Sequence, residues 1–227
     1  MILILPCAGG SASNFNKYKK YSNDFYIYEY SGHWSRYEEQ LETSIEQSVR
    51  SLKKDIINSN VKEITLFGHS MGGLIAWNLA NEVLKEGVNV KQLYIAACCP
   101  LEVKPDFLES ICDDLDIKVL LHNIRQVQDK VLKSAFFNED LLPIIKNDFS
   151  MVKRFINEYN PEDNTPLSVP ITCLYGEDDP VIKPVEMELW RKYTSAEFRC
   201  ISFPGNHFFL YEKDNVKGIA DILLGNK

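Results

Sequence analysis

The chain has 227 residues, of which 45% are hydrophobic and 25% charged, a composition that is typical of a folded globular protein and excludes extensive disorder. Its formal net charge of -7 argues against general nucleic-acid binding. The apolar start at residues 1–7 lacks a basic segment and is too short for a signal peptide or a membrane span. We therefore expect a single domain over residues 1–227 in a cytoplasmic monomer that binds neither nucleic acid nor membranes.

Six cysteines are spread along the chain without the paired spacing of metal ligands: Cys7, Cys98, Cys99, Cys112, Cys173 and Cys200. Several fall within predicted strands, which indicates small buried side chains in a reducing cytoplasm. The adjacent Cys98 and Cys99 at a strand end leave a redox role open, although core packing is the favoured interpretation. We therefore expect no metal site.

Short apolar runs rich in β-favouring residues alternate with segments of helical periodicity along most of the chain. The predicted strands cover residues 2–5, 25–30, 64–67, 90–97, 171–175 and 198–203. The predicted helices carry apolar residues over 41–56, 74–83 and 216–224. This alternation predicts an α/β fold in which helices cover both faces of a mostly parallel central sheet.

The first predicted strand ends in PCAGGS, residues 6–11. Glycines at this position allow backbone N–H groups to approach a ligand, so the N–H of Cys7 or Ala8 is a candidate donor to an oxyanion. A plain turn between a strand and a helix is the alternative interpretation.

The segment LFGHSMGGLIAWNLA, residues 66–80, predicts a strand, a tight turn and a helix. Small residues flank Ser70 where larger side chains would collide with the strand and the helix, as in the G-x-S-x-G nucleophile elbow. The helix directs free N–H groups toward a ligand of the serine, so Met71 N–H is a second candidate oxyanion donor. A glycine-rich turn in which Ser70 only caps the helix is the alternative. The flanking strand and helix favour the nucleophile.

The β signal disappears between about residues 101 and 168, where apolar residues recur at the spacing of several short helices. An all-helical insertion in an α/β sheet is typical of a lid over an active site. A structural crossover and an oligomer contact are alternatives. The position of this segment, between the candidate nucleophile and the rest of the predicted sheet, favours the lid.

A serine nucleophile needs a base, and His207 is the best placed of the four histidines. It follows the last predicted strand and precedes the last predicted helix, where an α/β-hydrolase fold carries its histidine. For the acid that orients this histidine, Asp178 and Asp179 compete directly after the penultimate strand, and Asp106 is a third candidate. Spacing alone leaves Asp179 only slightly ahead of Asp178.

Five motifs in chain order resemble those of the type II thioesterases that accompany nonribosomal peptide and polyketide synthases. They are LPCAGGSASNF for the opening loop, FGHSMGG for the elbow, LLPIIKNDF for the lid, YGEDDPVI for the acid loop and FPGNHFFL for the histidine loop. Five motifs in the same order are far more specific than any one of them. The resemblance covers most of the chain.

The resemblance implies Ser70 as nucleophile, Asp179 as acid, His207 as base, and the N–H groups of Ala8 and Met71 as oxyanion donors. It also implies an α/β-hydrolase fold with a helical lid, and a reaction that needs no metal or organic cofactor. The implied substrates are acyl or aminoacyl groups on the phosphopantetheine arm of carrier proteins. The acyl or peptidyl carrier protein is then the implied partner.

One loop departs from the family pattern. Where the family usually has a turn rich in proline, glycine and arginine after its second strand, this chain has YSGHWSR, residues 30–36. Gly32 and Arg36 are compatible with such a turn, but His33 and Trp34 replace the usual residues.

Two other functions are compatible with the same residues. A serine carboxylesterase or lipase acting on oxygen esters uses the same catalytic groups, whereas a non-catalytic relative of the fold would need none of them. Carrier recruitment by an acidic enzyme requires local positive charge, and two basic clusters are candidates for it. They are Lys17, Lys19 and Lys20 after the opening loop, and Arg125, Lys130 and Lys133 in the predicted lid. Ordinary solvated lysines are an equally good interpretation of both clusters.

Overall fold

The computed structural model describes residues 1–111, 113–125, 127–163 and 165–226, without the side chains of Asp106, Arg125 and Asp163. Cys112 therefore lies outside the described residues. Among the described residues, none of the helices is long and apolar enough to cross a membrane.

A six-stranded sheet forms the centre of the molecule, with the strand order β2-β1-β3-β4-β5-β6 and parallel pairing throughout. The strands are β1 (Ile2–Leu5), β2 (Phe25–Ile27), β3 (Glu63–His69), β4 (Asn89–Ala96), β5 (Ile171–Gly176) and β6 (Phe198–Phe203). Because all strands run in one direction, the loops that follow them meet at one edge of the sheet. The predicted mostly parallel sheet is confirmed.

Eight α-helices accompany the sheet in the described part of the chain. They are α1 (Ile45–Asn58), α2 (Met71–Lys85), α3 (Asp106–Ser110), α4 (Asp114–Arg125), α5 (Asp129–Leu132), α6 (Leu142–Glu158), α7 (Pro184–Glu188) and α8 (Lys213–Leu224). The side chains of β1 alternate between two apolar cores, with Leu3 and Leu5 on the face of α1 and α2, and Ile2 and Ile4 on the face of α8. Both faces of the sheet are therefore covered.

The second strand and the first helix are shorter in the structure than predicted. The second strand stops at Ile27 rather than at residue 30, since the neighbouring strand ends before Pro6, which has no N–H to offer the sheet. Arg36 instead donates to the Glu29 carbonyl, at 2.7 Å. Helix α1 begins after Leu41, because the Ser44 side chain accepts from the Gln47 N–H and caps the helix there.

Helices α3 to α6 and the π-helical turn Phe137–Leu141 lie between β4 and β5. These elements form the helical insertion. Its outer half has a small core of its own, built from Ile117, Leu132, Phe137, Leu142 and Ile145. Met151, Val152 and Ile156 of α6 join the main core beside the sheet. The longest helix of the insertion therefore links the two cores.

Candidate active site

Ser70 lies on a strained corner between β3 and α2. Its backbone has φ +54° and ψ -118°, a conformation that residues other than glycine rarely adopt. The corner is held from both sides, because Ser70 N–H donates to the Ala96 carbonyl at 2.8 Å and Gly73 N–H donates to the Ser70 carbonyl at 2.7 Å. The predicted strand, turn and helix are present, with Ser70 at the turn.

Glycine is required at two positions of this corner. A Cβ atom on Gly68 would collide with the backbone of Gly72, and a Cβ atom on Gly72 would collide with the Leu5 carbonyl at the end of β1. The backbone of α2 therefore begins in direct contact with β1 and β3. This close approach puts the first turn of the helix next to the loop that follows β1.

Asp179 and His207 form a buried pair at the same edge of the sheet. His207 Nδ1 lies 2.8 Å from Asp179 Oδ2, and the two side chains are 6% and 0% exposed. The other carboxylate oxygen of Asp179 accepts from the N–H groups of Val181 at 2.9 Å and Ile182 at 3.2 Å. With the carboxylate fixed in this way, the neutral imidazole carries its proton on Nδ1 and leaves Nε2 as the acceptor.

The two competing acids differ from Asp179. Asp178 is exposed, and its backbone N–H donates to the Gly205 carbonyl at 2.9 Å. The side chain of Asp106, at the start of α3, lies outside the described part of the structure. Of the two adjacent aspartates, the structure pairs only Asp179 with His207, which spacing alone could not decide.

His69 connects the histidine loop to the serine corner. Its side chain is fully buried, and Nε2 lies 2.9 Å from the His207 carbonyl, so this nitrogen must donate. The centroids of the His69 and His207 rings are 5.3 Å apart. Because His69 directly precedes Ser70, the contact ties the two loops together across β4 and β5. Sequence reasoning missed this role, since a long-range contact of this kind leaves no local pattern.

The loop after β1 closes the site on the opposite side. Gly10 N–H donates to the Cys7 carbonyl at 2.9 Å, and Gly9 adopts a left-handed conformation with φ +62°. Ala8 and Met71, the two residues implied as oxyanion donors, line the same cavity as Ser70. The loop and the start of α2 therefore flank the serine.

The cavity at Ser70 has a volume of about 30 Å³, on the order of a tenth of the lower end of small-molecule sites, ~300–1,000 Å³. The insertion contributes Phe107, Leu108, Phe149, Val152 and Ile156 to its wall. These side chains are all apolar. Helices α3 and α6 of the insertion therefore cover part of the serine corner and leave a narrow apolar cavity beside Ser70, which stays partly exposed.

Cys98 and Cys99 also line this cavity. Burial raises the pKa of both thiols far above that of a free cysteine. A thiol that stays protonated is a poor nucleophile and a poor redox group. The structure therefore favours the packing interpretation of these two cysteines.

Comparison with known proteins identifies the family. The family model for the thioesterase domain matches residues 1–225. The gramicidin S biosynthesis protein GrsT of Aneurinibacillus migulanus is 28% identical over 218 residues, which cover 93% of this chain and 83% of that protein. The probable anguibactin biosynthesis thioesterase AngT of Vibrio anguillarum is 24% identical over 221 residues, which cover 93% and 86%.

Solved structures show the same fold. RedJ, the thioesterase from the prodiginine biosynthetic pathway of Streptomyces coelicolor, superposes with a TM-score of 0.87 at 24% identity, covering 98% of this chain and 88% of RedJ. The predicted α/β-hydrolase fold is confirmed. Because the family model spans nearly the whole sequence, this chain belongs to the thioesterase family and is a hydrolase of thioesters.

Proposed function

We propose that this enzyme hydrolyses acyl or aminoacyl thioesters on the phosphopantetheine arms of carrier proteins, and thereby edits or releases intermediates of a nonribosomal peptide or polyketide synthase. Relatives named for gramicidin S and anguibactin biosynthesis support this substrate class. The observation that carries the chemistry is the buried Asp179–His207 pair, joined through His69 to the strained corner of Ser70.

In the proposed mechanism, Ser70 attacks the thioester carbonyl while His207 Nε2 accepts the serine proton. Asp179 holds the imidazole in the required tautomer and stabilises the imidazolium that forms. The N–H groups of Ala8 and Met71 stabilise the oxyanion. Collapse of this intermediate expels the pantetheine sulfur, which takes the proton from the His207 imidazolium, and leaves an acyl-serine. Water then attacks the acyl-serine with neutral His207 again acting as base, and the proton passes to Ser70 Oγ as the acid product leaves. The reaction requires neither a metal nor an organic cofactor.

The helical insertion is the proposed lid of a single domain that comprises residues 1–227. Its apolar side chains over Ser70 exclude water when the cover is closed. Entry of an acyl chain then depends on displacement of α3, whose Phe107 and Leu108 side chains line the cavity. The five described cysteines are free thiols, which supports a cytoplasmic location. We propose that the protein acts there as a monomer, without binding nucleic acid or membranes.

Hydrolysis of an acyl-pantetheine thioester and of the matched oxygen ester tests the reaction. We expect turnover of the thioester, faster turnover of the same acyl group on a carrier protein, and labelling of Ser70 by a fluorophosphonate. Preferential turnover of the oxygen ester would identify a carboxylesterase or lipase instead. An unlabelled Ser70 without hydrolysis of either ester would identify a non-catalytic binding protein.

A further inference from the structure

A second buried acid–histidine pair lies outside the proposed catalytic residues. Asp148 of α6 and His33 of the loop after β2 are 1% and 2% exposed. Asp148 Oδ2 lies 2.9 Å from His33 Nε2 and accepts from the Gly9 N–H at 2.8 Å. One oxygen atom of the insertion therefore joins two loops that are distant in sequence. His33 is one of the residues by which this chain departs from the family pattern.

The hydrogen-bond partners fix the charges of this pair. His33 Nδ1 lies 3.1 Å from the Ser31 carbonyl, so both ring nitrogens face acceptors, an arrangement that only the imidazolium satisfies. Both oxygens of Asp148 face donors, because the Asn147 amide lies 3.3 Å from Oδ1. Gly9, His33 and Asp148 thus form a charged, desolvated contact.

The surroundings of His33 favour the charged ring. Burial alone would lower the pKa of His33, but the hydrogen bond and the charge of Asp148, the Ser31 carbonyl and the Glu29 charge outweigh it, so the pKa is raised. The Tyr30 ring packs edge-on at 5.5 Å, and burial raises the pKa of Tyr30 as well, which keeps that phenol neutral. Asp148 from α6 and Glu29 from the loop after β2 are thus the charges that favour the imidazolium.

The contact between Gly9, His33 and Asp148 fixes the peptide group that joins Ala8 to Gly9. The Gly9 N–H points at Asp148, while the indole Nε1 of Trp34 donates to the carbonyls of Gly9 and Gly10 at 3.3 and 3.0 Å. The side chain of Ile145 occupies the space that a Cβ on Gly9 would need. The loop is therefore held by α6 and by residues 33–34, and its backbone orientation depends on both.

We infer that His33 and Asp148 are positioning residues, which clamp the loop after β1 against α6 and thereby aim the Ala8 N–H at the oxyanion. This inference rests on the role proposed above for Ala8. Asp148 belongs to the helical insertion, so the oxyanion hole is complete only while the insertion is docked on the sheet. The same contact links docking of the helical insertion to the reactivity of Ser70.

The pH dependence of the clamp follows from its charges. The pKa of His33 in the folded protein is above the unfolded value of about 6.5. Its contribution to stability is therefore fully present below pH ~6.5 and is lost as the pH rises through the folded pKa. Above that pH one ring nitrogen loses its proton and faces an acceptor without a hydrogen bond. We expect the contact between His33 and Asp148 to weaken as the pH rises through the folded pKa of His33.

Steady-state kinetics with an acyl-pantetheine thioester and the rate of Ser70 labelling by a fluorophosphonate test this inference. Asp148→Ala is expected to lower both kcat and the labelling rate about 10- to 100-fold, with KM changed less than about threefold, because a misaligned oxyanion donor affects the transition state. The kcat and the labelling rate of Asp148→Asn should lie between those of Asp148→Ala and those of the wild type. The matched control is Asp114→Ala, which removes an exposed ion pair between α4 and Lys146 of α6 and should change neither rate more than about twofold.

The pH profile separates positioning from a general structural role. The wild-type kcat should fall on the alkaline side with an apparent pKa above 6.5, whereas His33→Gln, which offers an N–H to Asp148 but does not titrate, should lack this fall. An identical alkaline fall in both proteins would overturn the inference. So would Asp148→Asn with a wild-type labelling rate, even if its melting temperature were lower or Asp148→Ala failed to fold.

The same experiment distinguishes this inference from the proposed function. A wild type that is labelled at Ser70 but does not hydrolyse thioesters would contradict the proposed function. Slower labelling of the Asp148 variants would still support the clamp in that case. A wild-type Ser70 that does not react with the fluorophosphonate would overturn both.

Discussion

The edge of the sheet and the helical insertion contribute to the same site by different means. Ser70, Asp179 and His207 lie in loops that directly follow parallel strands, and their positions depend on strand register, glycine contacts and short backbone hydrogen bonds. The insertion contributes side chains instead, namely an apolar cover over the cavity and the single carboxylate of Asp148. On the proposed mechanism, backbone geometry positions the reacting groups, whereas side-chain packing encloses them and, through the inferred contact of Asp148 with Gly9 and His33, aligns them.

Removing the proposed nucleophile is the most severe test of the site at the sheet edge. We expect Ser70→Ala to lower kcat about 10⁴-fold or more, because the remaining groups provide only binding and oxyanion stabilisation. The partly buried serine side chain contributes little to the core, so the melting temperature should stay close to that of the wild type. A variant that retains more than about a tenth of the activity would contradict the mechanism.

The two adjacent aspartates offer a matched test of how the sheet edge selects its acid. Asp179→Asn should lower kcat about 10³- to 10⁴-fold, because the amide no longer stabilises the imidazolium and favours the wrong tautomer. Asp178→Asn changes an exposed side chain and should alter kcat less than about threefold. Both rates are measured with the same acyl-pantetheine thioester. A larger loss in Asp178→Asn than in Asp179→Asn would show that the acid is misassigned.

The helical insertion has a small core of its own. We therefore expect that the insertion can be destabilised while the sheet stays folded. Phe137 is 2% exposed in that core and the neighbouring Phe136 is 55% exposed. Phe137→Ala should destabilise the insertion by about 3 to 5 kcal/mol, whereas Phe136→Ala should cost far less. Amide hydrogen exchange over residues 106–158 measures the difference. Equal exchange in β3 and in the insertion after Phe137→Ala would show that the two regions unfold together.

The smallest expected effect concerns the surface by which a carrier protein docks. Lys17, Lys19 and Lys20 are exposed on the 3₁₀ helix Ala12–Lys20, which follows the loop after β1. Lys17 Nζ donates to the Tyr211 carbonyl beside the histidine loop at 3.1 Å. Replacing all three by Glu should raise KM for an acyl-carrier protein about three- to tenfold, through slower and salt-sensitive association. Hydrolysis of the small pantetheine thioester should not change.

Kinetics with both substrates at two ionic strengths distinguish the explanations for an effect of the lysine substitutions. Equal effects on the carrier and the small thioester would mean that the lysines support the active site or the fold. No effect on either substrate would place carrier docking elsewhere, for example at Lys130 of α5 and Lys133 directly after it, which are also exposed.

The parts of the site that depend on local backbone geometry could be predicted from the sequence. The corner at Ser70 follows from an apolar strand, glycines and a helical period within a few residues of each other. The choice between Asp178 and Asp179 did not follow from spacing, because the direction in which each carboxylate points depends on how the loop after β5 folds. That choice came from the resemblance to a family.

Contacts between distant side chains could not be predicted in this way. His69 meets the His207 carbonyl across 138 positions, and His33 meets Asp148 across 115. Neither pair has a spacing or composition that marks it, since each forms only when the sheet and the insertion are packed. The departure of residues 30–36 from the family pattern was the one signal near His33. It indicated that this loop differs from the family, but it did not identify Asp148 as the partner of His33.

The narrow cavity beside Ser70 predicts a delay between the arrival of a thioester and its binding. On the proposed function, a volume of about 30 Å³ predicts that α3 moves before an acyl chain binds, at a rate that is independent of the chemistry that follows. A thioester that is consumed rapidly by an assembly line disappears before this rearrangement occurs, whereas a stalled one persists. On the proposed function, the enzyme would discriminate between correct and blocked intermediates by their lifetime, and a faster-opening variant would be a more active but less faithful editor.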